Sequence, residues 1–301
     1  MTDEFEYSKP VNTLDEQKFG KLLHQVLSPS LPLQSAEYLK GRDEQLTKIK
    51  QCFYAQGRHI FIHGYRGVGK TSLAQTAALQ QQSSDSKPIF VSCSEGTTFS
   101  KIVVDIVEEA INSNPTIIQK IESSKVSFSK FGISAEVGES ITKGKVPHPD
   151  GVNEAARLIS FLSDVHSEEP VILIDEFDRL KDTAQQRMFA DFIKTISDKK
   201  LAVKFIFCGI GESLDELMEA HHSAHRYIQG VKLQRLDFEP RIEIIETAAK
   251  RLGITIDPNT TIRICRISDG FPHYIHLLCE KLFMLVYEEK NSGFVNTVLF
   301  E

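Results

Sequence analysis

Hydrophobic positions along the chain fall into two patterns: short apolar runs closed by glycine or polar residues, and longer stretches with apolar residues three or four apart. The short runs at 60–63, 89–92, 171–174, 203–208 and 231–233 predict five buried strands. Helical spacing appears at Leu46, Ile49 and Phe53 within 43–54, and at Leu73, Ala74, Ala77 and Ala78 within 70–82. Further helices are predicted over 99–112 and 152–166. Strands alternating with helices imply an α/β fold, a parallel sheet covered on both faces.

Outside this core the pattern changes. Residues 1–37, broken by Pro10, Pro29 and Pro32, read as an N-terminal arm before a core at 38–238. The gap at 93–170 is longer than one crossover needs. Within it, 125–137 alternates with period two and turns near Gly132, which predicts a hairpin inside an insertion at about 114–150. Over 239–290 only helical spacing remains: Ile242, Ile245, Ala249 and Leu252 form one stripe, and Tyr274, Leu278, Leu282 and Leu285 another. Ile262 and Cys265 mark a shorter helix between them. Residues 291–301 are strand-like with no visible partner; either they pair back onto the fold or a further domain has been lost.

Composition narrows the setting. The net charge is −6, from 35 basic and 41 acidic residues, and residues 1–16 hold five of the acids against one lysine. The rest is nearly balanced, so charge offers no support for a nucleic-acid-coating protein. Five scattered cysteines without a CxxC pair argue against a disulfide framework or zinc finger. His221, His222 and His225 have no second ligand cluster, and no metal site is expected there. No run approaches a membrane span, and the acidic start is unlike a signal peptide, so a cytoplasmic protein is expected.

The chemistry concentrates in Gly64-Tyr65-Arg66-Gly67-Val68-Gly69-Lys70-Thr71, a match to G-x-x-x-x-G-K-[ST]. Such a loop wraps phosphates with backbone N–H groups, its glycines allow close approach, and the following helix aims its N-terminus at the same anion. A predicted strand precedes it and a predicted helix follows. Gly64 through Ser72 are therefore candidate nucleotide contacts. Lys70 is assigned to the β- and γ-phosphates, and Thr71 to Mg²⁺. The second element is Val171-Ile172-Leu173-Ile174-Asp175-Glu176, a buried strand emerging in two acids. Asp175 is placed to hold Mg²⁺ and Glu176 to polarise an attacking water. Asp178 reads as a structural or capping residue.

With these motifs the chain resembles the AAA+ P-loop ATPases, in the branch near STAND signalling, origin-recognition and transposon-regulator ATPases. Gly41-Arg42-Asp43-Glu44 is similar to that family's GR-x-E box, Asp175 to Leu180 to the extended acidic motif of STAND members, and Gly270-Phe271-Pro272 to their G-x-P motif. The resemblance implies a five-stranded sheet with a small helical lid, ATP and Mg²⁺ as cofactors, and Arg42 beside the adenine. It also implies a homo-oligomer bridged by ATP, with Arg226 reaching a neighbour's γ-phosphate; Arg235 is an alternative for that role.

Two departures from the family pattern stand out. The fourth strand ends Phe205-Ile206-Phe207-Cys208-Gly209-Ile210-Gly211-Glu212-Ser213, with no clear equivalent of the family's polar sensor, and His273 stands where many members carry a lid arginine; Arg263 and Arg266 lie near. Both favour slow hydrolysis, and so a switch with a separate effector, with host defence one setting. A DNA-binding replication initiator or transposition regulator is the alternative. It lacks a visible winged or basic helix, and the insertion carries only a weak positive bias. A small-molecule kinase would need an acceptor pocket and a mobile basic lid.

Overall fold

A computed structural model describes residues 15–29, 37, 39–82, 86–113, 146–220, 224–289 and 293–295. The expected hairpin at 125–137 and nearly all of the 114–150 insertion lie outside these residues. So do most of the acidic start, His221, His222 and the last six positions. The chain divides into two compact units. One comprises Gln45–Gly64 and Ala74–Lys232; the other comprises Met1–Glu44, Tyr65–Leu73 and Leu233–Glu301.

The first unit carries the sheet. Strands β1 (His59–Gly64), β2 (Ile89–Ser92), β3 (Val171–Asp175), β4 (Lys204–Gly209) and β5 (Ile228–Leu233) form one five-stranded parallel sheet in the order β2-β3-β4-β1-β5. Ile174 is paired with Phe207, His63 with Gly209 and Ser92 with Asp175. All six residues of β4 are buried, as is typical of a strand covered on both faces. Helix α2 (Asp43–Phe53) precedes β1, and α3 (Lys70–Gln81), α4 (Phe99–Ser113), α5 (Val152–Val165) and α6 (Thr183–Asp198) lie between successive strands. The shorter α7 (Gly211–Ala220) and α8 (Ala224–Tyr227) lead into β5. The core is aromatic: Phe177 meets Phe61, Phe189 and Phe207 edge-on at 5.3–5.8 Å. Edge-to-face pairs contribute about 0.5–1.5 kcal/mol each beyond area burial.

The second unit is built on α9 (Phe238–Arg251), α10 (Pro258–Ile267) and α11 (Pro272–Glu288). Two expectations change here. Part of the predicted N-terminal arm is a core helix, α1 (Glu16–Val26), capped by Asp15, which accepts the Lys18 N–H. Phe19 and Leu23 are fully buried in the same cluster as Ile245, Cys279 and Phe283, and Phe19 stacks on Tyr287 at 4.3 Å. The stripe expected on α11 is also rotated. Ile275, Cys279, Leu282, Phe283 and Val286 are buried, whereas Tyr274 and Leu285 are 50% and 43% exposed. The helix is apolar on several sides, so spacing alone does not select its inner face. The strand-like end does find a partner: β7 (Phe294–Val295) pairs in parallel with β6 (Thr255–Ile256), burying Val295.

Each unit encloses a neutral histidine. In the sheet unit His59 Nδ1 accepts the Phe205 N–H at 3.1 Å, which leaves Nε2–H to donate to Ser197 Oγ at 3.2 Å. Burial, and secondarily the Lys204 ammonium, pushes its pKa down to about 3. In the helical unit His276 Nδ1 accepts the Ser28 N–H, and burial followed by His273 lowers its pKa to about 4. In the unfolded chain both titrate near 6.5. Between that value and the folded values the unfolded state binds protons that the native state does not, so stability falls as pH drops through this window. Relative to pH 7, each histidine is expected to cost roughly 2 kcal/mol at pH 5. Urea unfolding at the two pH values measures this. His276→Gln, which keeps an acceptor for Ser28, should remove its share of the pH dependence; an unchanged dependence would refute the assignment.

Candidate functional site

The phosphate-loop sequence lies in the helical unit as a tight turn between β1 and α3. Gly67 and Gly69 adopt φ of +79° and +94°, a region closed to most side chains. Val68 between them is buried. Lys70, Thr71 and Ser72 form the first turn of α3 and are half-buried, with Leu73 N–H bonded to Gly69 O at 3.0 Å. Lys70 Nζ donates to the Tyr65 carbonyl at 3.0 Å, so the ammonium is held along the loop. Gly64, Tyr65, Arg66, Gly67, Val68, Gly69, Lys70, Thr71 and Ser72 thus form one continuous turn and helix start.

Arg42, which the resemblance places beside the adenine, makes its protein contacts to the backbone. Its side chain is 4% exposed, and its Nη2 donates to Val68 O at 3.0 Å and to Gln234 O at 2.8 Å. Burial lowers its pKa to about 10, with Asp237 opposing, so it remains charged at neutral pH. The guanidinium braces the loop from behind and ties it to the segment after β5.

The G-x-P sequence also reaches the loop. A Cβ placed on Gly67 would lie 3.6 Å from Phe271, and one on Gly69 would lie 3.9 Å from Pro272. The preceding residues are bolted in place. Gly270 O accepts the Leu236 N–H at 2.8 Å, Arg241 donates from Nε and Nη2 to Leu236 O, and its Nη1 donates to Cys265 O. Arg235 pairs with Asp269, and its guanidinium carbon lies 4.7 Å from the Phe271 ring and 5.9 Å from the Tyr65 ring. This cluster joins residues more than thirty positions apart, so no local spacing reveals it. His273 donates from Nδ1 to Pro29 O at 2.9 Å. Arg263 and Arg266 sit on exposed positions of α10.

In the sheet unit the acids stand at the carboxyl edge. Asp175 closes β3, half-buried, and its Oδ1 accepts the Glu176 N–H at 2.8 Å. Glu176 is exposed and left-handed, φ +52° and ψ 38°, in the turn that carries Phe177 into the aromatic core. Its Oε2 lies 3.6 Å from Arg179 Nε. Asp178 sits in the same turn, while the cap of α6 is Asp182, which accepts the Ala184 N–H. Cys93 is buried beneath this edge and binds Asp175 O through its N–H at 2.9 Å. Burial, then Asp175, Asp178 and Glu176, raises its thiol to about 12.

Beyond β4, where the sequence shows no polar sensor, His63 of β1 faces the backbone. Its Nδ1 would lie 3.7 Å from a Cβ on Gly211. Burial and Lys232 lower its pKa against the opposing Asp215. Arg226 in α8 is exposed, without an ion-pair or hydrogen-bond partner among the described residues.

Among the described residues no group of three or more His, Cys, Asp or Glu could hold a metal unaided. One carboxylate and one hydroxyl completed by phosphate oxygens and water is the way proteins hold Mg²⁺. Such an ion arrives with its nucleotide and needs few ligands from the chain itself. No described helix is long and apolar enough to cross a membrane.

Gly270 gives a direct stability test. Its φ is +78°, and a Cβ there would meet Leu236 O and Arg241 Nη2 at 2.7 Å. Gly270→Ala should cost more than about 2 kcal/mol, as strain at a special backbone position does. Gly20→Ala, in α1 with nothing within 4 Å, should instead stabilise by about 0.5–1 kcal/mol. Thermal melts of the pair read opposite signs; equal shifts would refute the strap around Gly270.

Comparison with known proteins agrees with this geometry. The family model described as an AAA ATPase domain matches residues 38–206, more than half of the chain. A search of curated protein sequences finds no match. Solved structures share the fold at low identity. The Walker-type ATPase PABY2304 of Pyrococcus abyssi has a TM-score of 0.60 and 15% identity, over 88% of this chain and 72% of that one. The Aeropyrum pernix ORC1 protein, solved in complex with DNA, has a TM-score of 0.58 and 16% identity, over 87% of this chain and 64% of that one. ORC2 of the same organism has a TM-score of 0.62 and 10% identity, over 92% and 69%. The chain therefore spans less than two thirds of ORC1. With its phosphate loop, acidic strand end and family match together, the chain belongs to the AAA+ P-loop ATPases.

Proposed function

We propose that this chain is an ATP-controlled switch that binds Mg²⁺-ATP, hydrolyses it slowly and assembles with copies of itself. The observation that carries the reading is topological. Strands β1 and β3 are separated only by β4, so Gly64 and Asp175 leave the same edge of the sheet about 10 Å apart at ordinary strand spacing. A phosphate loop starts at the first, and an acidic pair stands at the second.

In this reading the loop N–H groups and the start of α3 hold the phosphates. Lys70 leaves the Tyr65 carbonyl for the β- and γ-phosphates, and Thr71 and Asp175 hold the ion. Bound Mg²⁺ would offset charge on the phosphates. Glu176 is exposed and can accept a proton from water. Arg226, exposed and without an ion-pair or hydrogen-bond partner among the described residues, suits a role toward the nucleotide of a second copy. The lack of a clear equivalent of the family's polar sensor after β4 and the histidine at position 273 support slow turnover. A separate effector, in host defence or another signalling setting, fits a switch of this kind, and the expected cytoplasmic setting fits both.

A DNA-binding initiator or regulator is the second reading, supported by the likeness to a protein solved in complex with DNA. The near-neutral charge after residue 16 weighs against it. DNA affinity falling steeply with salt would favour it.

The expected outcomes are specific. Lys70→Ala should abolish nucleotide binding. Glu176→Gln should keep binding and lower phosphate release by about 10²–10⁴, the usual worth of general-base catalysis. Arg226→Ala should lower turnover by up to about 10³–10⁵, as loss of an arginine finger does, and only at concentrations where the protein assembles. Phosphate-release assays and size-exclusion chromatography with a non-hydrolysable ATP analogue measure these. A monomer under every nucleotide, or normal turnover by Glu176→Gln, would overturn the assignment.

A further inference from the structure

We propose that Arg235 is the residue by which this chain distinguishes a nucleoside triphosphate from a diphosphate, acting on nucleotide bound in its own loop by exchanging Asp269 for the terminal phosphate. The inference rests on the phosphate-binding reading of the loop and adds a residue and a role to it.

The position of Arg235 is the first argument. Its guanidinium carbon lies within 6 Å of two rings, those of Tyr65 and Phe271. Tyr65 is the second residue of the phosphate loop, and Phe271 lies against Gly67. Lys70 reaches the same residue, donating to the Tyr65 carbonyl. In loops of this sequence the lysine serves the β- and γ-phosphates, which makes the Tyr65 end of the loop the terminal-phosphate end. Two cations therefore converge on the segment that a third phosphate would occupy and a diphosphate would leave open.

The strength of the present partner is the second argument. The Arg235–Asp269 pair is 46% and 62% exposed, the class of ion pair that contributes least to stability. Bidentate Arg–phosphate contacts are stronger and geometrically specific. An incoming anion also repels the Asp269 carboxylate, so the exchange is favoured from both sides. Asp269 has φ +49° and is followed by Gly270, which tolerates no side chain against Leu236 and Arg241. Releasing Asp269 therefore acts on a strained turn that bears Phe271 and Pro272 on the loop glycines.

This places Arg235 in cis, in contrast to the role toward a neighbouring subunit that its position after β5 first allowed. It also supplies a cation in a chain whose lid position carries His273.

The test is equilibrium binding of fluorescent ADP and a fluorescent non-hydrolysable ATP analogue, each with Mg²⁺. The proteins are the wild type, Lys70→Ala, Arg235→Ala, Arg235→Lys and Asp269→Asn, all checked for folding by circular dichroism. Arg235→Ala should weaken the ATP analogue about ten- to hundredfold, the worth of a charged hydrogen bond, and leave ADP within about twofold. Arg235→Lys should recover part of the loss, and Asp269→Asn should tighten the ATP analogue with little effect on ADP. Equal weakening of both nucleotides by Arg235→Ala, no weakening of either, or weaker ATP-analogue binding by Asp269→Asn would overturn the proposal. Should Arg235→Ala fail to fold, the lysine and asparagine variants decide by the same criteria. Wild type that binds neither nucleotide, indistinguishable from Lys70→Ala, would instead sink the reading of the loop itself.

Discussion

A loop that turns its N–H groups toward an anion must turn carbonyls the other way, and those carbonyls need donors of their own. Much of the helical unit answers that constraint. Arg42 gives one guanidinium nitrogen to Val68 O and Gln234 O from a buried position. Lys70 gives its ammonium to Tyr65 O. The two cations differ in what they can do next. Arg42 is sealed behind the loop, where removing it would strand two carbonyls, each costing about 1–3 kcal/mol if buried. Lys70 is half-buried at the start of α3, and an anion in the turn is a better partner for it than a neutral carbonyl. One cation is a buried fixture and the other stands half-buried at the start of the helix.

The acidic edge shows the same division between what is fixed and what is offered. Glu176 sits in a left-handed conformation that costs about 1–2 kcal/mol for a residue with a Cβ. The next residue explains why it persists. Phe177 is 1% exposed among Phe61, Phe189 and Phe207, and burying such a side chain contributes about 1.5–3 kcal/mol, with edge contacts adding to it. The core thus holds the turn, and the turn presents the glutamate outward. A carboxylate displayed at the rim by a buried aromatic neighbour is positioned without depending on its own weak contact to Arg179.

What the sequence discloses and what it hides follows from the range of the interactions. The phosphate loop, the five strands and the acidic strand end are local patterns, written in glycine spacing and apolar runs, and they stand where expected. The role of Arg42 is hidden because its acceptors are backbone atoms 26 and 192 positions away. Arg235 and Asp269 are likewise brought together only by the tertiary fold. Helix α1 was legible in principle: Phe19, Leu23 and Val26 have helical spacing behind an Asp15 cap. The prolines around it pointed to an arm instead. On α11 the fault runs the other way, since too many apolar residues leave two plausible faces, and packing with α1 and α9 chooses Ile275 and Cys279 over Tyr274 and Leu285.

The two sequence motifs carry opposite fields, each within its own unit. Around the loop the cations Arg66, Lys70, Arg235 and Arg42 and the positive end of α3 outnumber the acids beside them, Asp237 and Asp269. Around the end of β3 the charges are Asp175, Glu176 and Asp178, and their combined potential is felt by the Cys93 thiol, which burial and these carboxylates hold at about 12. A free triphosphate suits the first field and is repelled by the second. A bare divalent cation suits the second, yet no described cluster supplies enough ligands to hold it alone. The species that meets both demands carries its own cation on its phosphates. A Mg²⁺-nucleotide, the ligand of the proposed function, is such a species.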